Sequence, residues 1–251
     1  MLVFSYDGSY AGLLCCVFEA FERKKFNVKL KAPGNSAFMF TEELIEVSSD
    51  LTKAKRVADG LQDKLTKFRA EEIYWAFLSE EPQADQQVFN FLCYIYRHNK
   101  GADENISENS VFRVKRLSHK VFREIHRMHA FVRFTYTEGK FWVAVVEPEC
   151  NVLPVLGEHF AARYADHAWV IADKRRKQAI CYSGKEVYGV SLEPKFWHSL
   201  QKIENTDSAF EKLWQTYFKA VNIPERANDR LQRQHVPTKY RKYLPEFRKP
   251  S

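Results

Sequence analysis

The chain has 251 residues, of which 45% are hydrophobic and 15% aromatic, so it can bury a large core and is not a disordered polyelectrolyte. Its five cysteines form no CxxC or CxxxCxxC pattern, which favours buried, reduced thiols in a cytoplasmic protein over disulfides or an iron–sulfur cluster. Apolar runs fall short of the ~18 residues of a membrane span, and the first residues do not resemble a signal peptide.

The net charge of +7 hides a strong segregation of cations. Residues 111–133 carry +6, residues 174–177 carry +4 and residues 224–251 carry +5, which leaves −8 for the rest of the chain. Such clustering is typical of a protein that binds a polyanion. Ordinary solvated surface charge is the alternative interpretation.

The first 100 residues are predicted to be mostly helical. Apolar residues recur there at helical spacing, and only two short runs have the composition of strands. The predicted strands are Leu2–Tyr6 and Leu44–Val47, and the predicted helices are Gly12–Lys24, Leu51–Leu65, Phe68–Leu78 and one that starts near Pro82.

Residues 98–110 are polar and nearly without apolar side chains, so they are the best candidate for a linker. After the helix that follows them, apolar residues recur in short runs between turns, which predicts an antiparallel sheet flanked by helices. The predicted class is α+β, with a mostly helical part at 1–100, an α+β part at 101–225 and a basic tail packed on the domain at 226–251. The predicted strands are Ala130–Thr137, Lys140–Glu147, Trp169–Ala172, Gln178–Tyr182 and Glu186–Val190, and the predicted helices are Pro154–Tyr164 and Ser208–Val221.

Residues 111–130 carry the most informative pattern in the chain. An apolar stripe and a basic stripe run along them in steps of three and four, offset by one residue, or about 100° around a helix axis. Like charges at this spacing destabilise an isolated helix, so five of them in a row favour contact with a polyanion such as DNA. The apolar stripe is Val114, Leu117, Val121, Ile125 and Met128, and the basic stripe is Arg113, Arg116, Lys120, Arg123 and Arg127, with Arg133 as an extension.

Two further segments add candidates for contact with nucleic acid. The KRRK turn at 174–177 would present cations to phosphates, and the C-terminal segment alternates cations with tyrosines that would stack on bases. A solvated turn, and tyrosines that pack onto the domain, are the alternatives. The candidates are Lys174, Arg175, Arg176, Lys177, Arg233, Lys239, Tyr240, Arg241, Lys242 and Tyr243.

Several long motifs follow one another along nearly the whole chain. They are FSYDGSYAGLLCCVFEAF, SSDLTKAKRVADGL, AFLSEEP, EIHRMHAFVRF, EPECNVLPVLGEHFAARYADHAWVIADKRR and LQRQHVPTKYRKYL. Together they resemble a bacterial family defined by domain of unknown function 4130, whose members are often named for DNA metabolism. The resemblance implies a DNA-related context and a radical SAM protein of DNA repair as a partner, and the same domain also occurs fused to uracil-DNA glycosylase-like proteins. It implies no reaction, because the family has no assigned activity.

The leading hypothesis is a cytoplasmic, nucleic-acid-binding accessory protein of bacterial DNA metabolism or repair, without a cofactor or metal, that works with a radical SAM or glycosylase-type enzyme. A second hypothesis is a metal-dependent enzyme acting on DNA or nucleotides. Glu147, Glu149 and Asp173 would then hold Mg²⁺ near strand ends, with His159 in proton transfer. A third is a protein-interaction module with no affinity for DNA.

Overall fold

The computed structural model describes residues 2–34, 43–137, 141–192 and 236–247. Within these ranges the chain forms helices and two separate β-sheets, which confirms the predicted α+β class. The chain divides into two compact units, residues 1–123 and 124–251, and the division falls inside a long helix. We call them the first unit and the second unit.

The first unit contains a parallel three-stranded sheet. Two of its strands confirm the predicted strands to within one residue at each end. The third, β2, was not predicted, because its sequence VKLK alternates two apolar residues with two lysines and is too short to give a clear period. The strands are β1 (Leu2–Ser5), β2 (Val28–Lys31) and β3 (Glu43–Glu46), in the spatial order β2-β1-β3.

The helices of the first unit begin where side chains cap backbone N–H groups. Ser9 Oγ accepts a hydrogen bond from Gly12 N at 2.9 Å, and Asp50 Oδ1 accepts one from Thr52 N at 2.7 Å. Each cap lies four residues after the end of a strand, so two helices start near the carboxyl end of the sheet. Each helix overlaps its predicted span, and they are α1 (Tyr10–Glu22), α2 (Leu51–Gln62), α3 (Lys67–Leu78) and α4 (Ala84–Arg97).

Helix α5 (Asn109–Phe131) is the predicted basic helix, and all five residues of its apolar stripe are buried, as predicted. Val111, Val114 and Leu117 belong to the core of the first unit. This packing explains why residues 101–123 belong to the first unit, although the sequence analysis assigns them to the second part. The helix continues to Phe131, so the strand predicted from Ala130 starts later than expected.

The second unit contains a five-stranded sheet in the order β4-β5-β6-β7-β8. An antiparallel sheet was predicted, but β5 and β6 are parallel, so the sheet is mixed. The reason is the helix between them. A crossover helix brings the chain back to the end of the sheet where β5 began, so β6 runs in the same direction as β5. The elements are β4 (Thr135–Tyr136), β5 (Trp142–Val146), α6 (Leu153–Arg163), β6 (Trp169–Asp173), β7 (Gln178–Tyr182), β8 (Val187–Ser191) and α7 (Thr238–Arg241).

The five cysteines are all unbridged, and only Cys181 is partly accessible, in agreement with the prediction of buried thiols. No helix in the described ranges is both long and apolar enough to cross a membrane. The turn predicted at 138–139 and the helix predicted at 208–221 lie outside the described residues.

Candidate functional site

The carboxyl ends of the parallel strands β5 and β6 carry the acids that were predicted for catalysis. Arg176 links the ends of the two strands. Its guanidinium donates to Asp173 Oδ2 at 2.6 Å and to the backbone carbonyl oxygens of Pro148 and Glu149 at 3.1 and 3.0 Å. The side chain of Asp173 is 0% exposed and that of Arg176 only 9%. This is a buried ion pair, so Arg176 is not presented to a phosphate as predicted.

The C-terminal segment neutralises the other two acids. Lys242 Nζ and Tyr243 OH each lie 2.6 Å from Glu147 Oε2, and Lys239 Nζ lies 2.6 Å from Glu149 Oε1. The hydrogen bonds from Lys242 and then Tyr243 hold the pKa of Glu147 below its ordinary value. Glu147 therefore stays ionised near neutral pH and attaches the C-terminal segment to the end of β5.

Glu124 on α5 belongs to the same network and is 2% exposed. It accepts hydrogen bonds from the Tyr240 hydroxyl and, at 2.8 Å, from Glu149 N, and its Oε2 lies 3.6 Å from Arg127 Nη1. Burial, followed by the hydrogen bond to Glu124, raises the pKa of Tyr240, so its hydroxyl stays protonated and donates. The Tyr240 ring is 2% exposed and cannot stack on a base, which corrects the prediction for this residue.

These contacts give no support to the predicted catalytic site. Each predicted acid is bound to a cation, and the described residues contain no group of three His, Cys, Asp or Glu side chains that could hold a metal. His159, predicted for proton transfer, stacks instead on His129 with ring centroids 3.8 Å apart. All three acids are therefore engaged in contacts within the second unit, and only the Asp173–Arg176 pair is buried.

The basic stripe of α5 is partly exposed. Arg113, Arg116 and Arg123 are exposed, and Lys120 is half-buried. Glu81 binds two of them, since its carboxylate lies 3.2 Å from Arg116 Nη2 and 3.0 Å from Lys120 Nζ. Arg113 and Arg123 form no ion pair with any residue that the structure describes.

The other predicted cations differ in what they contact. Arg175 is exposed, but its Nη1 donates to the carbonyl oxygen of Glu149 at 2.9 Å. Arg133 Nη1 donates to Ala130 O at 2.7 Å and so caps the end of α5. Lys177 is exposed, Lys174 and Arg241 are half-buried, and Arg233 lies outside the described residues.

The first unit has an exposed aromatic patch that the sequence pattern did not predict. It consists of Phe68 and Trp75 on α3 and Phe122 on α5, with ring centroids 5.8 Å apart for Phe68 and Trp75 and 5.6 Å apart for Trp75 and Phe122. Phe68 is 53% exposed and Phe122 49%. Phe122 directly precedes Arg123, so the two side chains lie about 100° apart around the axis of α5. Neither helix alone predicts it, because an aromatic residue at helical spacing is usually in the core.

A cavity of about 620 Å³ opens in the second unit at the amino ends of β5 and β6. It is lined by Trp142 and Trp169, which begin these strands, by Phe160 and Tyr164 from the end of α6, and by Phe134 before β4. The Phe134 ring centroid lies 5.6 Å from that of Phe160, 5.2 Å from that of Tyr164 and 6.1 Å from that of Trp169. These four rings form one continuous aromatic wall.

Among the described lining residues, the polar groups of this cavity are cationic or neutral. Arg133 and Arg163 line it, and no acidic residue is found among the lining residues that the structure describes. Burial, followed by the nearby His159 and His126, lowers the pKa of His129 to about 4, so its ring is neutral near pH 7. His129 Nε2 and Trp169 Nε1 are buried and have no hydrogen-bond partner in the described part of the chain.

Open parallel sheets commonly bind ligands at the carboxyl ends of their strands, and the first unit contains such a sheet. Here the polar groups satisfy one another, since Asp7 accepts from Ser49 Oγ at 2.6 Å and from Ser9 N at 2.9 Å. A Cβ at Gly12 would lie 2.3 Å from Asp7 Oδ1, so only glycine fits at this position. These hydrogen bonds connect α1 to the loop before α2 and occupy both carboxylate oxygens of Asp7.

The fold and these sites define an α+β protein with a basic helix and an aromatic cavity. The chain belongs to the family described as a domain of unknown function, DUF4130, whose sequence profile matches residues 82–246. The matched range contains α5 and every described residue that lines the cavity. No functionally curated protein and no solved structure matches the chain.

Proposed function

We propose that the protein binds nucleic acid through the exposed cations of α5, as an accessory protein of DNA metabolism or repair. One observation carries the proposal. Arg113 and Arg123 are exposed and have no acidic partner among the described residues, and Arg116 extends the same stripe. A protein gains nothing in stability from unpaired like charges on one helix, whereas phosphates bind them and release counterions.

The aromatic patch strengthens this proposal. Arginines bind phosphates, while exposed rings beside them stack on unpaired bases, and this combination holds single strands without choosing a sequence. Phe122 supplies an exposed ring on the same helix as these arginines. We therefore expect single strands to bind more tightly than duplexes of the same length.

The proposed interface is narrower than the sequence suggests. In the second unit, Arg176, Lys239 and Lys242 are bound to acids, and Arg175 to a carbonyl group. Such pairing lowers the net field that a phosphate would meet. We therefore assign the KRRK turn and the C-terminal segment at most a secondary role.

The direct test is binding of labelled single- and double-stranded DNA across a range of salt concentrations. The double variant Arg113→Gln/Arg123→Gln should weaken binding to every sequence and flatten the salt slope by about one unit for each lost phosphate contact. The matched control is Arg56→Gln, since Arg56 is an exposed arginine on α2. An absence of binding at low salt, or equal binding by the double variant, would refute the proposal.

A second experiment separates the accessory role from the alternatives. Pull-down from native cells, with and without nuclease treatment, should retain a radical SAM or glycosylase-type enzyme directly and DNA only before digestion. Retention of a protein without DNA affinity would favour a protein-interaction module. The metal-dependent enzyme built on Glu147, Glu149 and Asp173 is not favoured, because cations hold all three carboxylates.

A further inference from the structure

We propose that the aromatic cavity of the second unit binds one nucleoside 5′-monophosphate unit, with its base against the rings and its phosphate at Arg163. The unit is either a free nucleotide or one unpaired nucleotide of a strand. Only the strand source rests on the proposed nucleic-acid binding.

The size and lining of the cavity fit a small aromatic ligand. Its volume of about 620 Å³ lies within the range of ~300–1,000 Å³ that is common for small-molecule sites. Trp169 and Phe160 are 1% and 2% exposed, so they form the inner wall. Trp142 and Tyr164 are half-buried and therefore lie nearer to solvent, where their faces can receive an entering base.

The charge of the lining selects an anion. Arg163 is exposed at the end of α6, with its Cζ 5.8 Å from the Tyr164 ring centroid. Arg133 also lines the cavity and adds positive charge, although its Nη1 already donates to Ala130 O. Aromatic cages can also hold organic cations, but two arginines without a lining acid in the described ranges would repel a cation. Guanidinium groups bind phosphate through paired, charge-assisted hydrogen bonds.

Two ring nitrogens of the inner wall are buried without a hydrogen-bond partner among the described residues, and a base would reach them only after the wall side chains shift. The Trp169 indole Nε1 is a donor only, and it is buried without a partner among the described residues. His129 Nε2 is in the same situation, and the neutral ring can donate or accept according to its tautomer. A buried donor without a partner is costly, and an acceptor on a base edge would remove that cost.

A base that is paired and stacked in a duplex cannot reach such an inner wall. A nucleotide of a strand must therefore be unpaired, or leave the stack, before its base can enter. This requirement agrees with the preference for single strands that we expect of α5. It also allows the two sites to be tested separately.

The test titrates the full-length protein with each of the four 2′-deoxynucleoside 5′-monophosphates, and with the matching nucleosides, 2-deoxyribose 5-phosphate and inorganic phosphate. Heat of binding and tryptophan fluorescence are the readouts, because Trp142 and Trp169 line the cavity. We expect saturable binding of at least one nucleotide, with about tenfold weaker binding of its nucleoside and of the sugar phosphate.

Two substitutions assign the binding to the cavity. Arg163→Gln should weaken the nucleotide about tenfold but change nucleoside binding little, whereas Tyr164→Leu should weaken both. Arg56→Gln is the control for loss of an exposed arginine elsewhere. The thermal midpoint of each variant shows whether it is folded, and Arg163→Gln, at an exposed position, keeps the test valid if Tyr164→Leu does not fold.

Competition with a single-stranded oligonucleotide identifies the source of the nucleotide. If the strand displaces the mononucleotide, and this displacement is lost in Arg163→Gln, the natural ligand is an unpaired nucleotide of nucleic acid. If the strand binds without displacing the mononucleotide, the natural ligand is a free nucleotide. The cavity proposal is overturned if no nucleotide binds, if inorganic phosphate binds equally well, or if Arg163→Gln changes nothing. Failure of α5 to bind DNA would overturn the proposed function and leave mononucleotide binding as an independent result.

Discussion

The two ends of the parallel strands β5 and β6 differ sharply, although the same backbone builds both. At the carboxyl end, Asp173 and Arg176 form a buried ion pair, and Glu147 and Glu149 are bound to lysines of the C-terminal segment. At the amino end, Trp142 and Trp169 open into an aromatic cavity in which two buried ring nitrogens lack partners among the described residues.

The difference teaches where stability and binding reside in this unit. Polar groups that are satisfied by one another contribute to folding and have little capacity left for a ligand. Polar groups that are buried and unsatisfied cost free energy, and they are retained most readily where a ligand completes them. We therefore expect substitutions at the carboxyl end to affect stability, and those at the amino end to affect binding.

The largest effect is expected for Asp173→Ala. The substitution leaves Arg176 as an uncompensated charge at a position that is 9% exposed, and it removes the acceptor of the Arg175 and Arg176 backbone N–H groups. The free energy of unfolding in urea should fall by about 3–5 kcal/mol. The control is Asp59→Ala, which breaks the exposed pair with Lys55 and should cost at most about 0.5 kcal/mol. Equal losses in the two variants would contradict the buried ion pair.

Tyr240→Phe should have the next largest effect. It removes a hydrogen bond that Glu124 accepts at a buried position, so the free energy of unfolding should fall by about 1–3 kcal/mol. Tyr243→Phe is the matched variant, since its hydroxyl donates to Glu147 at a half-buried position and should contribute about 0.5–1.5 kcal/mol. If Tyr243→Phe cost more than Tyr240→Phe, the half-buried contact with Glu147 would hold the C-terminal segment more strongly than the buried contact with Glu124.

At the cavity end, His129 should make stability depend on pH. Its pKa is about 4 in the folded protein and about 6.5 when unfolded, so between these values the unfolded state binds more protons and stability falls as the pH is lowered. Relative to pH 7.5, the wild type should lose about 1–2 kcal/mol more than His129→Gln by pH 4.5, after allowance for solvent screening. The exposed His126→Gln serves as control, and a profile that His129→Gln leaves unchanged would assign the dependence to other groups.

Arg163→Gln should have the smallest effect on stability. Arg163 is exposed and forms no ion pair with the described residues, so the free energy of unfolding should change by no more than about 0.5 kcal/mol. If this variant keeps its stability while losing nucleotide affinity, the amino end of the strands serves binding and not folding. A loss above about 1 kcal/mol would mean that the arginine supports the fold.

The sequence predicted best those elements whose periodicity is long. The stripe from Val114 to Met128 extends over four turns of helix, and each of its residues is buried. The short strand β2 and the end of α5 at Phe131 were missed, because four residues give no reliable period and Ala130 suits a helix or a strand equally.

The candidate sites were predicted less well for a physical reason. The sequence placed Glu147, Glu149 and Asp173 correctly at strand ends, but it could not show that Arg176 and the C-terminal lysines would bind them. The cavity draws its lining from the end of α5, the start of β5 and β6 and the end of α6. In each local segment these aromatic residues are indistinguishable from ordinary core.

Sequence by itself determined the α+β class, the register of the basic helix and the family, because periodicity and long motifs are local properties of the chain. Tertiary structure alone decided which charges are neutralised and which rings enclose a cavity. Both outcomes depend on partners that lie far apart in sequence, such as Tyr240 and Glu124. They also depend on burial, because a charged or polar group that is buried must be paired within the fold.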